Sequence, residues 1–355
     1  MTKGMSQAFQ KLESELRSAS QTWLVTGVAG FIGSHLLERL LSYGQQVVGL
    51  DNFATGKPAN LSDVRSRVGE VAWQRFRFIE GDITRIEDCR AACANVKLVL
   101  HQAALGSVPR SLENPLATHH SNVTGFVNML EAARHAGVQR LVYASSSAVY
   151  GDHPGLPKVE EHIGEALSPY AVSKRVDELY AKVFGRSYGL STVGLRYFNV
   201  FGRRQDPEGA YAAVIPRWFS GMLRGEACRI FGDGETSRDF THVSDVIRAN
   251  LLAATAPSDV NGQVFNVACG RRWTLRELHD AIGAVLVRRG ALSSAPQEPL
   301  WQPFRSGDVR HSLADISKAD ECLGYEPGGP LADGLEEAAE WYIDLSQRDC
   351  RVIAA

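Results

Sequence analysis

Three consecutive serines, Ser145, Ser146 and Ser147, run into Tyr150-Gly151; twenty positions beyond Tyr150 stands Tyr170, and four later Lys174. Residues four apart on a helix share a face and touch, so this spacing puts an ammonium beside a phenol. A free tyrosine titrates near pH ~10, too high for a base at neutral pH. A fixed positive charge favours the phenolate, and lowering the titration by about 3 units takes roughly 4 kcal/mol of differential stabilisation. A serine hydroxyl close by can hydrogen-bond the substrate oxygen that loses its proton. The set is suited to taking a proton from an alcohol as its carbon is oxidised. Helices also carry Tyr-x-x-x-Lys for packing alone, so the argument depends on the surroundings.

Such side chains need a frame to hold them. Over the first 200 residues, short apolar runs alternate with helical patterns. Segments 23–26, 47–50, 76–79, 98–101, 140–145 and 192–196 read as strands, several of them apolar throughout, as strands covered on both faces are. Segments 31–41, 114–135 and 170–186 read as the larger crossover helices. The alternation predicts an α/β fold, a Rossmann doubly wound parallel sheet. After Asn199 shorter elements are punctuated by Gly, Pro and Arg, with a strand at 264–267, a helix opened by a Thr274/Glu277 capping box, and a Pro/Ser-rich loop at 292–303. Three parts are expected. Residues 1–21 form an amphipathic extension, with Phe9, Leu12 and Leu16 at helical spacing. Residues 22–198, with about 236–265, form a nucleotide-binding domain, and 199–235 with 266–355 form a smaller α/β C-terminal substrate-binding lobe.

At the first strand-to-helix turn stand Gly27, Gly30 and Gly33, with Phe31 and Ile32 between the last two. Glycine there lets a backbone approach a pyrophosphate, and the helix N-terminus offers unpaired N–H groups. The context, an apolar strand before and an apolar-striped helix after, is the one this motif requires. The second strand ends on Asp51-Asn52, 24 positions beyond Gly27. A carboxylate there accepts both ribose hydroxyls and repels a 2′-phosphate, which selects NAD over NADP. Asp82-Ile83 after the third strand suits the adenine, and Gln102-Ala103-Ala104 after the fourth puts small residues where a backbone must lie against the cofactor.

Composition narrows the classes. Net charge is −2, with 22% charged and 44% hydrophobic residues, an ordinary globular profile with no basic field for nucleic acid. No 18-residue apolar stretch predicts a membrane span, and residues 1–21 lack the apolar core of a secretory signal. The six cysteines show no paired C-x-x-C, which predicts reduced, mostly buried thiols in a cytoplasmic protein with no metal site.

These motifs, with Tyr170-Ala-Val-Ser-Lys174, Arg196-Tyr-Phe-Asn-Val-Phe-Gly202, the run from Gly232 through Arg238 and the run from Asp308 to Ser312, resemble the extended short-chain dehydrogenase/reductases that act on nucleotide sugars. Over roughly residues 22–345 the chain is most similar to bacterial UDP-N-acetylglucosamine/UDP-N-acetylgalactosamine 4-epimerases. The resemblance implies Ser146, Tyr170 and Lys174 as catalytic residues, with Ser147 helping to hold the sugar and Ser145 structural. It also implies that Tyr170 and Lys174 complete the NAD contacts. It implies that Asn199, Arg238 and Arg305 bind the UDP diphosphate and that Ala213 and Val214 cradle the uridine. Guanidinium groups suit a diphosphate, which they grip with paired hydrogen bonds. Gly106, Ala213 and Ser312 fall at the wall of the hexose pocket, with Ser107 and Ser147 also expected to bind substrate. Ala148 stands where the dehydratases of this family carry an acid, which argues against loss of water.

By resemblance, the reaction is C4 epimerisation through a transient 4-keto sugar with tightly bound NAD. Epimerases restricted to plain hexoses place a tyrosine where Ser312 falls; a hydroxymethyl leaves room for a 2-acetamido group. That favours UDP-GlcNAc and UDP-GalNAc. A UDP-N-acetylhexosaminuronic acid 4-epimerase, with Arg310 or His311 facing a carboxylate, stays open, as does a sugar-nucleotide dehydrogenase or reductase that releases its product. The family also implies a homodimer joined through the helices around 114–135 and 170–186, and the supply of a sugar nucleotide for a surface polysaccharide. His119 and His120 depart from the family pattern and carry no assigned role.

Overall fold

The computed structural model describes residues 7–209, 212–304 and 309–353, with side chains to residue 348. Helix α1 (Gln7–Ser18) buries Phe9, Leu12 and Leu16, the stripe read from the sequence. The Gln45 side chain fastens it: its amide donates to Ala19 O at 3.0 Å while its carbonyl accepts from Trp23 Nε1 at 3.0 Å.

Strand and helix then alternate: β1 (Thr22–Thr26), α2 (Phe31–Ser42), β2 (Gln46–Asp51), α3 (Pro58–Trp73), β3 (Phe76–Glu80), α4 (Ile86–Cys93) and β4 (Leu98–His101). Three short helices follow, α5 (Val108–Glu113), α6 (Pro115–His119) and α7 (Gly125–His135), then β5 (Arg140–Ser146), α8 (Pro169–Tyr188) and β6 (Thr192–Tyr197). A seventh strand, Gln263–Val267, pairs with β6, and the parallel sheet runs from it through β6, β5, β4, β1 and β2 to β3. This is the Rossmann-type sheet the alternation predicts. One apolar layer, with α1, α2 and the helix Val243–Thr255, covers one face; α4, α7 and α8 cover the other. Strands buried on both faces must be apolar throughout, which is why β1 and β4 read as unbroken runs. Strand order reverses at β1, which lies between β2 and β4, and a crevice outside the carboxyl ends of the strands is expected there.

Helix α8 is well defined at both ends. Ser168 Oγ accepts from Ala171 N at 3.1 Å, Pro169 opens the first turn, and Gly189 closes the last at φ +73°. Tyr170 is thereby fixed in the first turn and Lys174 one turn on. The C-terminal lobe has its own core, in which Trp218, Phe219, Ile230, Leu278, Leu335 and Tyr342 are buried. The Thr274/Glu277 capping box forms: Thr274 N donates to Glu277 Oε2 at 2.8 Å and Glu277 N to Thr274 Oγ1 at 3.1 Å.

Two expectations need correction. Segment 114–135 is not one regular helix. Asn114 caps α6, accepting from Ala117 N at 3.0 Å, and a π-helical turn, His120–Thr124, separates α6 from α7. There Asn122 is buried, its Oδ1 accepting from Leu105 N at 2.7 Å and its amide donating to Leu105 O at 3.2 Å and Ser173 Oγ at 3.1 Å. An inserted residue of this kind re-aims a side chain and marks functional sites. Segment 292–303 is not all loop: Leu300–Gln302 pairs in parallel with Arg229–Phe231. Its side chains are exposed, so it has no buried face to give an alternating pattern.

Candidate functional site

A cavity of about 500 Å³ opens at the carboxyl ends of β1, β2, β3 and β4. Gly27, Gly30, Phe31, Ile32 and Gly33 form one wall, Asp51, Asn52, Asp82 and Ile83 another, and Gln102, Ala103 and Ala104 a third. The residues drawn from four separate strand ends therefore meet. Gly27 has φ +65°, and a methyl on it would lie 2.9 Å from Ala103 N; a methyl on Gly33 would lie 2.1 Å from Gly27 O. Only glycine keeps this turn closed and leaves the cradle empty.

Asp51 is buried, its two oxygens accepting from Ala29 N at 2.9 Å and Phe53 N at 2.8 Å. Burial pushes its carboxyl up from the usual range, against the pull of those N–H groups. Asp82 goes the other way. Burial opposes ionisation, but the Thr84 N–H and hydroxyl, each at 2.8 Å, and the Asn52 amide at 2.8 Å hold it low. Gln102 contributes backbone to the cavity, because its side chain is bound to Asn250 at 3.0 Å and Tyr197 at 3.1 Å.

Ser146 ends β5, with its Oγ accepting from Ala148 N at 3.1 Å, and Ser147 opens the turn that follows. Ser145 points away from them. Its hydroxyl donates to Glu178 Oε1 at 2.7 Å inside the protein. Tyr170 is half-buried, and Lys174 is buried, donating to Ala144 O at 2.9 Å and Asp177 Oδ2 at 3.2 Å. Neither Tyr170 nor Lys174 lines the 500 Å³ cavity, but the helix that carries them is tied to its rim. Leu105 is part of that rim, and Asn122 joins the Leu105 backbone to Ser173 on the Tyr170 helix. His101, at the end of β4, donates or accepts at Thr26 Oγ1 across 2.8 Å; burial, with the Lys174 charge adding, pushes it down to about 3, so it is neutral.

A second cavity, of about 850 Å³, lies in the C-terminal lobe, and Asn199, Val214 and Arg238 line it together with Arg217. Ala213 sits at its edge as the residue before the helix Val214–Leu223. Arg238 Nη1 donates to Ser237 O at 3.0 Å and Arg310 O at 3.1 Å. Ser312 lies alongside, its N–H bound to Ser237 O at 3.0 Å. Gly106 lines the first cavity, and Ser107 caps α5. Ser107 has φ +136° and Asn199 φ +34°, both in the left-handed region that costs a residue with a Cβ on the order of 1–3 kcal/mol. Arg305 lies outside the described residues.

Sequence reasoning missed Glu178, Asp177 and Asn122. Glu178 stands four after Lys174, so the 170/174/178 stripe was a usable signal. Asn122 and Asp177 had none, because burial of a polar side chain does not show in spacing.

Residues 23–268 match the NAD dependent epimerase/dehydratase family. The chain belongs to that family. It is 38% identical to the UDP-glucose 4-epimerase of Mycolicibacterium smegmatis over 327 residues, 91% of this chain and 99% of the relative. Among solved structures it is similar to the UDP-N-acetylglucosamine 4-epimerase of Methanobrevibacter ruminantium in complex with UDP-N-acetylmuramic acid, at 37% identity and TM-score 0.84, covering 92% of this chain and 99% of that one. It is also similar to the UDP-glucuronic acid 4-epimerase of Bacillus cereus in complex with UDP-glucuronic acid and NAD, at 31% identity and TM-score 0.79, covering 91% and 99%. NAD is the cofactor of this epimerase/dehydratase family member, and the glycine-walled cradle with its carboxylates fits a dinucleotide. No helix among the described residues is long and apolar enough to cross a membrane.

Proposed function

We propose that the chain is a UDP-sugar 4-epimerase acting on a UDP-N-acetylhexosamine, interconverting UDP-GlcNAc and UDP-GalNAc. The reading draws support from the glycine-walled cavity at the strand ends, from Lys174 of α8 bound to Ala144 O of β5, from Asn122 joining α8 to the cavity rim at Leu105, and from the second, arginine-bearing cavity. Gly27, Gly30, Gly33 and the N–H groups of Phe31 and Ile32 would hold the NAD pyrophosphate. Asp51 and Asn52 would hold its ribose, Asp82 and Ile83 its adenine, and Gln102–Ala104 its length, with Tyr170 and Lys174 at the nicotinamide end. When bound, NAD supplies the acceptor and then the donor of the electron pair at the sugar C4.

Tyr170 takes the proton of the C4 hydroxyl and Ser146 holds that oxygen, with Lys174 one turn along the same helix. The 4-keto sugar turns over while its UDP stays gripped by Asn199, Arg238 and Arg305, with the uridine against Ala213 and Val214. Tyr170 then returns the proton. Gly106, Ser107, Ser147 and Ser312 face the hexose. Such a product suits a surface polysaccharide.

The acetamido assignment draws support from Ser312 and from the similarity to the UDP-N-acetylglucosamine 4-epimerase. The uronate alternative stays open: Arg310, 55% exposed, donates one N–H to Asp233 at 2.5 Å, and His311 pairs one ring nitrogen with Ser237 Oγ at 2.9 Å. Initial rates should give UDP-GlcNAc a kcat/KM at least about tenfold above those of UDP-glucose and UDP-glucuronic acid. Ser312→Tyr should reverse the preference toward the plain hexose; unchanged use of acetamido sugars would remove Ser312 from the pocket wall.

A homodimer is part of the proposal. Leu112, Leu116, Val172, Leu179, Tyr180 and Val183 are all exposed on α5, α6 and α8, Leu116 at 81%, and an apolar face of that kind suits a second copy. Sedimentation equilibrium should return twice the chain mass; a single-chain mass at micromolar concentration speaks against it.

A further inference from the structure

Beside the proposed catalytic lysine lies a carboxylate that the cycle above does not use. Asp177 is one turn beyond Lys174 on α8, and the two side chains, 2% and 4% exposed, meet at 3.2 Å. Asp177 Oδ1 has no partner among the described residues. A buried carboxylate with one oxygen unsatisfied is costly, so stability does not account for it. Its neighbour Glu178 differs in this respect, being fully engaged by Arg196, Arg175 and Ser145.

The Lys174 ammonium has three N–H groups. One goes to Ala144 O and one to Asp177, which leaves one N–H over. The groups acting on Asp177 are Lys174 and Glu178 on its own helix and Tyr143 across on β5. Glu178 pairs with Arg196 of β6 and with Arg175, which is 40% exposed, and its charge still acts on Asp177; His101 of β4, facing Lys174, is neutral. The charges of the cluster are thus Lys174, Glu178 with its two arginines and, when ionised, Asp177.

We infer that Asp177 is a positioning residue for the proposed reaction: it holds the Lys174 ammonium in place and partly cancels its field at Tyr170, setting the pH range over which Tyr170 works as a base. The inference rests on the epimerase reading above. Burial pushes the Asp177 carboxyl up to about 7, against the pull of Lys174 and its hydrogen bond, with the Glu178 charge adding to the rise. The carboxyl therefore changes charge in the working range of the enzyme. When it is ionised, Lys174 favours the phenolate less; when it is protonated, Lys174 acts with its full charge. An amide in its place mimics the protonated form at every pH and still accepts from Lys174.

The test is the pH profile of kcat/KM for wild type, Asp177→Asn, Asp177→Ser and Asp177→Glu, on the UDP-sugar that wild type converts fastest, with melting curves and bound NAD recorded for each. The acid limb should move down by about 1 to 2 units in whichever neutral variants fold, the size expected for one charge roughly 6 to 12 Å away at an effective dielectric of about 20. Asp177→Glu, which keeps the charge, should return the limb toward wild type. A limb that stays in place while the rate falls evenly at all pH values means a merely structural role and overturns the inference. If wild type epimerises no UDP-sugar, the epimerase reading fails first and this one falls with it; an active wild type with an unmoved limb in the variants overturns this inference alone.

Discussion

Replacing Tyr170 with phenylalanine should lower kcat for epimerisation by about 10²- to 10⁴-fold, the range for removing a general acid/base, while KM for the UDP-sugar changes by less than about threefold. The reasoning is local. The phenol is half-buried in the first turn of α8, whose start is fixed by the Ser168 cap and Pro169 rather than by the hydroxyl. Among the described residues the Tyr170 hydroxyl makes no hydrogen bond, so its loss should leave folding and cofactor retention unchanged. Lys174 keeps its bonds to Ala144 and Asp177 in the variant. Steady-state rates, with the 260/280 nm absorbance ratio of the purified protein as the measure of bound NAD, check this. Full turnover would remove Tyr170 from the mechanism.

Glu178→Ala should cost about 3–5 kcal/mol of folding stability, the range for breaking a buried ion pair from one side. Arg196 Nε and Nη2 donate to the two Glu178 oxygens at 2.8 and 2.9 Å, and these side chains are 1% and 4% exposed. The glutamate also accepts from Ser145 Oγ at 2.7 Å and Arg175 Nη1 at 3.0 Å. Truncation strands the Arg196 charge in the interior, where Glu160 O, at 2.9 Å, still accepts from it and the Tyr150 ring lies 4.9 Å away. The same glutamate ties α8, carrying Tyr170 and Lys174, to the end of β5, carrying Ser146, so activity should fall as well. Burial works against the Glu178 charge, but Arg196 holds its carboxyl below the usual range. The stability it contributes is therefore present above the unfolded value of about 4.3 and is lost as pH falls through the lower folded value. Denaturant midpoints should show a wide gap between wild type and variant at pH 7 that narrows below about pH 4. A gap under about 1 kcal/mol at pH 7 would show that the pair is not holding the helix to the sheet.

Much of this could be read from local pattern. β1, β2 and β4 are short, largely apolar runs buried on both faces, and such runs announce themselves. The Gly27–Gly33 turn and the Tyr170/Lys174 spacing are likewise local, and so is the Thr274/Glu277 box. What escaped depends on burial. Asn122 reads as an ordinary polar position in a helix until the π turn is seen to aim it at Leu105 and Ser173. Asp177 and Glu178 are adjacent acids with the same formal charge, and only the fold gives one an arginine and the other an unsatisfied oxygen. The 300–302 strand carries no periodicity because its side chains face outward. Substrate choice is harder still. Relatives of similar identity act on UDP-glucose and UDP-N-acetylglucosamine, so a few side chains around the hexose decide it.

The most direct measurement is proton NMR of the purified protein with UDP-GlcNAc and no added cofactor. The 4-epimer should appear and approach a fixed ratio, with no net NADH formed, because the oxidised and reduced forms of NAD are regenerated within each turnover. If nothing converts until NAD is supplied, and NADH then accumulates with a keto sugar, the chain is a dehydrogenase and the epimerase account is wrong.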